Sequence, residues 1–147
     1  MFRGRFERTI DSKGRVSIPA EFREILAEEY DDRLILTNFD RCIVAFPYKE
    51  WEIFEEKVSN SLSMFKRETK SFQRFFISGA SECPIDRLGR ILIPPTLRNW
   101  AQLERDVVFA GMQKRFEIWR KERFQEEIQR SAIEFEAMGD LLASLGF

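Results

Sequence analysis

The chain has 147 residues, 44% of them hydrophobic and 33% charged, with a formal net charge of −1. That composition describes a folding, globular chain. It lacks the overall basicity that usually marks a nucleic-acid binder, so any such role must rest on where the charges sit. There is no histidine, which removes imidazole acid–base catalysis, Ser-His-Asp and Cys-His nucleophiles, and His-containing zinc sites.

Residues 2–10 alternate, with Phe2, Gly4, Phe6 and Ile10 on one side and Arg3, Arg5, Glu7 and Thr9 on the other. This is the period of a half-buried strand, with Arg8 as its exception. Arg3, Arg5, Glu7 and Arg8 interrupt any apolar leader, and no apolar run reaches membrane-spanning length, which together predict a cytoplasmic protein. Next comes Asp11-Ser12-Lys13-Gly14-Arg15-Val16-Ser17-Ile18-Pro19, which returns 75 residues later as Asp86-Arg87-Leu88-Gly89-Arg90-Ile91-Leu92-Ile93-Pro94. Both copies read D-x-x-G-R-x-x-I-P, and Arg23 and Arg98 extend the match at the same offset. A repeat of this kind indicates an internal duplication.

Each position of the motif has a physical reading. Asp11 and Asp86 suit the start of a turn, where the carboxylate accepts from backbone N–H groups ahead of it. Gly14 and Gly89 supply a backbone angle that a Cβ resists. Arg15 and Arg90 open short apolar runs that read as strands. Pro19 and Pro94 close the strands and fit a helix start. The unit is turn, strand, helix start.

The pattern then continues in both copies. Phe22, Ile25, Leu26 and Tyr30 form a helical stripe, echoed by Leu97, Trp100 and Ala101. Leu34–Leu36 and Cys42–Phe46 read as strands around Asn38-Phe39-Asp40. Their counterparts, Val107–Phe109 and Arg115–Trp119, flank Gly111-Met112-Gln113 at an offset of 73, so the loop before them has lost two residues. Helices follow, with Trp51, Phe54, Glu55 and Val58 matched in part by Phe124, Glu127 and Ile128. Leu62, Phe65, Thr69, Phe72 and Phe76 recur at steps of three and four, which predicts a helix between the halves. Phe76–Cys83 restarts the opening pattern, with Ile77 for Phe2 and Gly79 for Gly4. The tail is helical through Ile133, Phe135 and Met138, with Gly139 as an interruption; Asp140–Phe147 is expected to fray or to be held by a neighbour. The division is a first repeat at 1–58, a connecting helix at 59–75 and a second repeat with a C-terminal helix at 76–147. Cys42 and Cys83 stand at non-equivalent places, which argues for two small buried residues rather than a redox or metal pair.

The two motifs, the opening Met1-Phe2-Arg3-Gly4 and the Gly79-Ala80-Ser81-Glu82-Cys83 run resemble the MraZ family of bacterial transcriptional regulators over essentially the whole chain. The resemblance implies an α+β fold of two AbrB/SpoVT-like swapped-hairpin half-barrels with helices packed outside. It also implies assembly into homo-oligomeric rings, no cofactor, and binding to double-stranded DNA at short G-rich direct repeats in the protein's own promoter region. The activity implied is repression of the cell-division and cell-wall gene cluster that contains its own gene, by a nucleoid-associated cytoplasmic protein.

Charge placement divides the copies. Residues 1–15 hold Arg3, Arg5, Arg8, Lys13 and Arg15 against Glu7 and Asp11, which leaves +3; residues 76–90 hold Arg87 and Arg90 against Glu82 and Asp86, which leaves zero. The expected DNA-binding set is therefore Arg3, Arg5, Lys13, Arg15 and Arg90, with Asp11, Gly14, Asp86 and Gly89 as structural turn residues. Arg90 is divided between DNA and a carboxylate across the halves. Lys66, Arg67, Lys70 and Arg74 form a second basic run, read as a solvated helix face. An enzymatic alternative would bring Asp11 and Asp86 together as a shared-proton pair. Neither is followed by the Thr/Ser-Gly of aspartic proteases, and each has Lys or Arg nearby, so the chain is read as a non-enzyme without a metal site. A third alternative is a scaffold ring that binds protein rather than DNA.

Overall fold

In the computed structural model, which describes residues 1–147, the opening alternation forms β1 (Arg5–Thr9), and Phe2 adds a single bridge to Gln113. The first motif supplies β2 (Arg15–Ser17) and leads into α1 (Ala20–Glu29). The hairpin β3 (Arg33–Phe39) and β4 (Cys42–Pro47) follows, then α2 (Tyr48–Ser61). A short helix α3 (Arg67–Phe72) runs into a π-helical turn, Gln73–Ile77. The second repeat gives β5 (Ser81–Pro84), β6 (Arg90–Leu92), α4 (Pro95–Ala101), β7 (Asp106–Met112), β8 (Arg115–Arg120) and α5 (Lys121–Glu136). A last helix, α6, spans Gly139–Ser144.

The repeats are interlocked. Six strands form one antiparallel sheet in the order β1-β7-β8-β4-β3-β5, and β2 and β6 form a separate two-stranded ribbon. Only the hairpins β3–β4 and β7–β8 pair inside a repeat. The other four pairings, β1 with β7, β5 with β3, β4 with β8 and β2 with β6, join opposite repeats. Each repeat thus lends its first strand to the other's hairpin.

The core follows from this exchange. A cluster of 19 buried residues draws on both copies, including Val16, Ile18, Phe22 and Leu26 from one and Ile91, Ile93, Leu97 and Ala101 from the other. Phe2 and Phe22 of the first repeat meet Phe116 of the second with ring centroids 5.0–5.3 Å apart. Burial of such side chains contributes roughly 1.5–3 kcal/mol each, and neither half can collect it alone.

The connecting region departs from the expected helix at 59–75. The first-repeat helix continues to Ser61, and Leu62 and Phe65 lie exposed outside regular structure, Phe65 at 95%. Only Thr69, Phe72 and Phe76 keep the helical stripe. Phe76 and Ile77 also belong to the π-helical turn, where the repeat pattern predicted a strand like that around Phe2. The cause lies in the facing strand. At Gly111 the absence of a side chain lets the main chain of Phe2–Gly4 lie against β7, since a Cβ there would sit 2.3 Å from the Arg3 nitrogen. The equivalent residue in β3 is Asn38, whose amide donates to the Phe75 carbonyl at 2.9 Å, while the Thr37 hydroxyl donates to the Phe76 carbonyl at 2.6 Å. Side chains there hold the end of a helical segment, where the other copy receives a strand.

That segment covers a second, smaller core. Phe72 and Phe76 pack on Phe46, Trp51 and Phe54, with Ile35 and Val44 beneath. In the second repeat the corresponding place is an open groove of about 450 Å³. Its walls include Trp119 and Phe124, but Val44 and Phe54 are replaced by Glu117 and Glu127. The Trp119 indole donates to Glu117 at 3.0 Å, and burial raises the Glu117 carboxyl above its usual range.

The exchange predicts how the halves behave when separated. Peptides 1–75 and 76–147, made apart, are expected to show no cooperative melting as monomers and to recover a common transition when mixed, as followed by circular dichroism and sedimentation. A cooperative, monomeric melt from either half alone would contradict the interlocked core.

Candidate nucleic-acid interface

The two motif turns are built alike. In the first, Asp11 Oδ1 accepts from the backbone N–H groups of Lys13 and Arg15, both at 2.9 Å, and Oδ2 accepts from Arg15 Nε at 2.8 Å. In the second, Asp86 Oδ1 accepts from Leu88 and Arg90, both at 2.9 Å, and Oδ2 from Arg90 Nε at 3.1 Å. Gly14 and Gly89 complete the turns with φ of +91° and +77°, each amide donating to the Asp carbonyl at 3.0 Å. The backbone N–H of the motif arginine, ahead of its side chain, holds each aspartate below the ordinary carboxylate range. Both oxygens of each aspartate are thus taken up by donors of its own turn, and no bond joins Asp11 to Asp86.

The Arg–Asp pairing is therefore local to each repeat, not a bridge between halves. What crosses between repeats is the final arginine of the extended motif. A Cβ on Gly14 would stand 2.7 Å from the Arg98 guanidinium, and one on Gly89 would stand 2.5 Å from that of Arg23. Arg98 also donates from Nε to the Ile93 carbonyl at 2.9 Å. Main-chain bonds run the same way: Ile18 N–H to the Gly89 carbonyl and Ile93 N–H to the Gly14 carbonyl, both 2.9 Å. Arg23 and Arg98 were visible in the sequence as matched positions. Their partners were not, because a repeat shows which residues correspond and not which copy each one touches.

The β2–β6 ribbon places the motif arginines on one surface. Its register sets Arg15 opposite Leu92 and Ser17 opposite Arg90. Alternation turns Val16 and Ile91 inward, each 1% exposed, and leaves Arg15, Ser17, Arg90 and Leu92 on the outer face. Each motif arginine is engaged within the chain only through Nε, so its two terminal nitrogens are free. Arg90 is presented as Arg15 is. Lys13 is exposed beside them at the tip of the first turn.

Arg3 and Arg5 lie elsewhere. They stand at the far end of β1, where Arg5 pairs with Ala110, while the strand must run to Thr9 and beyond before the first turn. An extended strand of that length separates them from Arg15 by roughly 20 Å. Arg3 is exposed, and the Arg5 guanidinium sits 5.8 Å from the centroid of the Phe124 ring. Arg8 donates to the Glu7 carbonyl and is half-buried.

The charge census changes once the crossing is counted. Arg98 joins Lys13 and Arg15 at the first turn, and Arg23 joins Arg87 and Arg90 at the second. The second is less basic in its setting, since the cleft beside it also takes in Asp31 and Asp32. Lys66, Arg67, Lys70 and Arg74 are exposed on α3 and its flanks. Both thiols are buried and unpaired; burial raises Cys42 and takes Cys83 to about 11, so neither is a reactive nucleophile. No group of His, Cys, Asp and Glu side chains is arranged to hold a metal, and no helix is long and apolar enough to cross a membrane.

A family model described as "MraZ protein, putative antitoxin-like" matches residues 1–75 and again 76–140. A transcriptional regulator MraZ of Caldanaerobacter subterraneus subsp. tengcongensis is 43% identical over 142 residues, covering 97% of this chain and 96% of that one. A transcriptional regulator MraZ of Thermoanaerobacter sp. strain X514 is 42% identical over 145 residues, covering 99% of each. That of Geobacter metallireducens is 38% identical over 157 residues, again covering 99% of each.

The turn chemistry sets a pH dependence. A carboxylate whose pKa is lowered by folding stabilises the fold above its unfolded value and loses that contribution as pH falls through the lower, folded value. Asp11→Asn and Asp86→Asn are expected to melt below wild type at pH 7, and the gap is expected to close in strong acid, below the ordinary carboxylate value of 3.8. Gly14→Ala is expected to cost about 1–3 kcal/mol at all pH values through its backbone angle. Thermal melts over a pH series check both, and a gap that persists unchanged in strong acid would refute the first.

Proposed function

The chain belongs to the MraZ family, and on that footing we propose that it is a sequence-specific, double-stranded-DNA-binding transcriptional regulator. The observation that carries this reading is the ribbon face. Two arginines from opposite repeats stand on one exposed surface, each aimed by its own aspartate and each with its terminal nitrogens unengaged. Arginine can bond guanine O6 and N7 together in the major groove, which suits G-rich sites. A two-stranded ribbon is narrow enough to enter that groove, so no recognition helix is needed.

Roles then follow from position. Arg15 and Arg90 read base edges, and Lys13 takes a phosphate beside them. Arg3 and Arg5, some 20 Å along the strand by the extended-strand spacing, reach flanking phosphates rather than the same base pairs. Phosphate contacts position the protein and make binding steeply salt-dependent. The exchange of first strands between repeats agrees with an AbrB/SpoVT-like swapped-hairpin arrangement, here inside one chain.

One ribbon is a small binder. Several copies in a homo-oligomeric ring, each set on one of a series of direct repeats, gain affinity through effective concentration. In keeping with that assembly, Ile133, Leu145 and Phe147 are exposed at 71%, 74% and 94%, apolar side chains that a neighbouring copy would cover. Occupancy of its own promoter region would repress the cell-division and cell-wall gene cluster, with the protein acting on the nucleoid in the cytoplasm and having no enzymatic role.

Electrophoretic shift with the DNA upstream of its own gene, over a salt series, tests the reading. Arg15→Ala and Arg90→Ala are each expected to lose about 1–3 kcal/mol and to relax specificity, while Lys13→Ala weakens all sequences alike and lowers the salt slope by about one. Unchanged affinity in both arginine variants would sink the ribbon mechanism. Oligomers by light scattering with no shift on any duplex would favour the scaffold reading instead.

A further inference from the structure

The ribbon is symmetric in backbone and unequal in chemistry. Around Arg15 the first copy places Lys13 and Ser17; at the same positions around Arg90 the second copy places Leu88 and Leu92. Both leucines are exposed, Leu88 at 69% and Leu92 at 57%, although the inward residue between Arg90 and Leu92, Ile91, is 1% exposed. They are not needed by the core, and they flank an arginine on a surface bordered by Lys13, Arg15 and Arg87. Large apolar side chains beside each of the two arginines of a cationic face fit a ligand that is anionic and carries apolar groups between its charges.

We propose that Leu88 and Leu92 contact thymine methyl groups in the major groove, Leu88 beside the guanine taken by Arg90 and Leu92 beside the guanine taken by Arg15, which it faces across the ribbon. The inference rests on the DNA-binding reading above. The C5 methyl is the one apolar feature that the major groove offers, and aliphatic side chains recognise it by contact. Lys13 and Ser17, at the matching positions of the first strand, offer no such group and take phosphate or polar base edges, so the end that carries Lys13 and Leu92 differs from the end that carries Leu88 and Ser17. A ribbon whose two ends differ recognises a site without internal two-fold symmetry. It therefore binds in one orientation, and several copies suit repeats that point the same way.

The test removes the methyl and nothing else. The duplex upstream of the gene is prepared with thymine and again with deoxyuracil throughout the bound site, and full-length protein is titrated against each by fluorescence anisotropy. Wild type is expected to bind the uracil duplex about fourfold more weakly for each methyl contacted, the equivalent of about 0.8 kcal/mol per buried carbon. The variant Leu88→Ser/Leu92→Ser is expected to bind both duplexes equally, with Arg15 and Arg90 intact and its melting temperature near wild type, since both leucines are exposed. Equal affinity of wild type for the two duplexes, while it still prefers them over unrelated DNA, overturns this inference and leaves the regulator reading standing. Uracil sensitivity that survives in the double variant also overturns it, because the effect would then come from duplex shape. Failure to bind either duplex in preference to unrelated DNA would remove the regulator reading and this inference together.

Discussion

The fold depends on a reciprocal crossing at the two glycines. Each turn offers a carbonyl that accepts the isoleucine amide of the other repeat, and the missing side chain leaves room for the other repeat's arginine. The thirteen-residue motif is thus one interaction shared between copies. Asp, Gly and the first Arg belong to the receiving end, and Ile and the last Arg to the arriving end. This accounts for the strict spacing across the motif and the looser spacing after it. The hairpins that follow pair first with themselves, so their arrival two residues early is absorbed by one loop.

The same crossing fixes the outward face. Val16 and Ile91 anchor the ribbon in the common core, and the arginines beside them inherit that rigidity. The Asp–Arg pairs are solvent-accessible, and pairs of that kind add little to stability. Their effect is on direction: one nitrogen of each guanidinium is committed and the plane is set, which lowers the ordering cost of meeting a ligand. Asp31 and Asp32 beside the second turn, and Lys13 of the first turn against Leu88 of the second, then make the two ends of one scaffold chemically distinct.

Much of this was legible in the residues. Asp-x-x-Gly-Arg encodes its turn locally, so the capping carboxylates and the left-handed glycines followed from turn chemistry, and the shift in offset located the hairpins. Long-range choices were hidden. Sequence comparison of the copies aligned Ile77 with Phe2, but the helical or extended state of that segment is set by Asn38 or Gly111 on a strand far along the chain. Leu62 and Phe65 kept a helical period without a face to bury, so periodicity there carried no structure. The grouping of Arg3 and Arg5 with Arg15 came from counting charges along the chain, which cannot register that an extended strand carries them apart.

The two ends of the main sheet belong to opposite repeats, β1 at one side and β5 at the other. The first carries Arg5, Glu7 and Arg8, and the second is four residues long and closes on Pro84, which has no amide to give. Charge, brevity and proline are the means by which an open margin refuses a further strand. Pairing of one copy's sheet with another's, margin to margin into fibres, is thereby disfavoured.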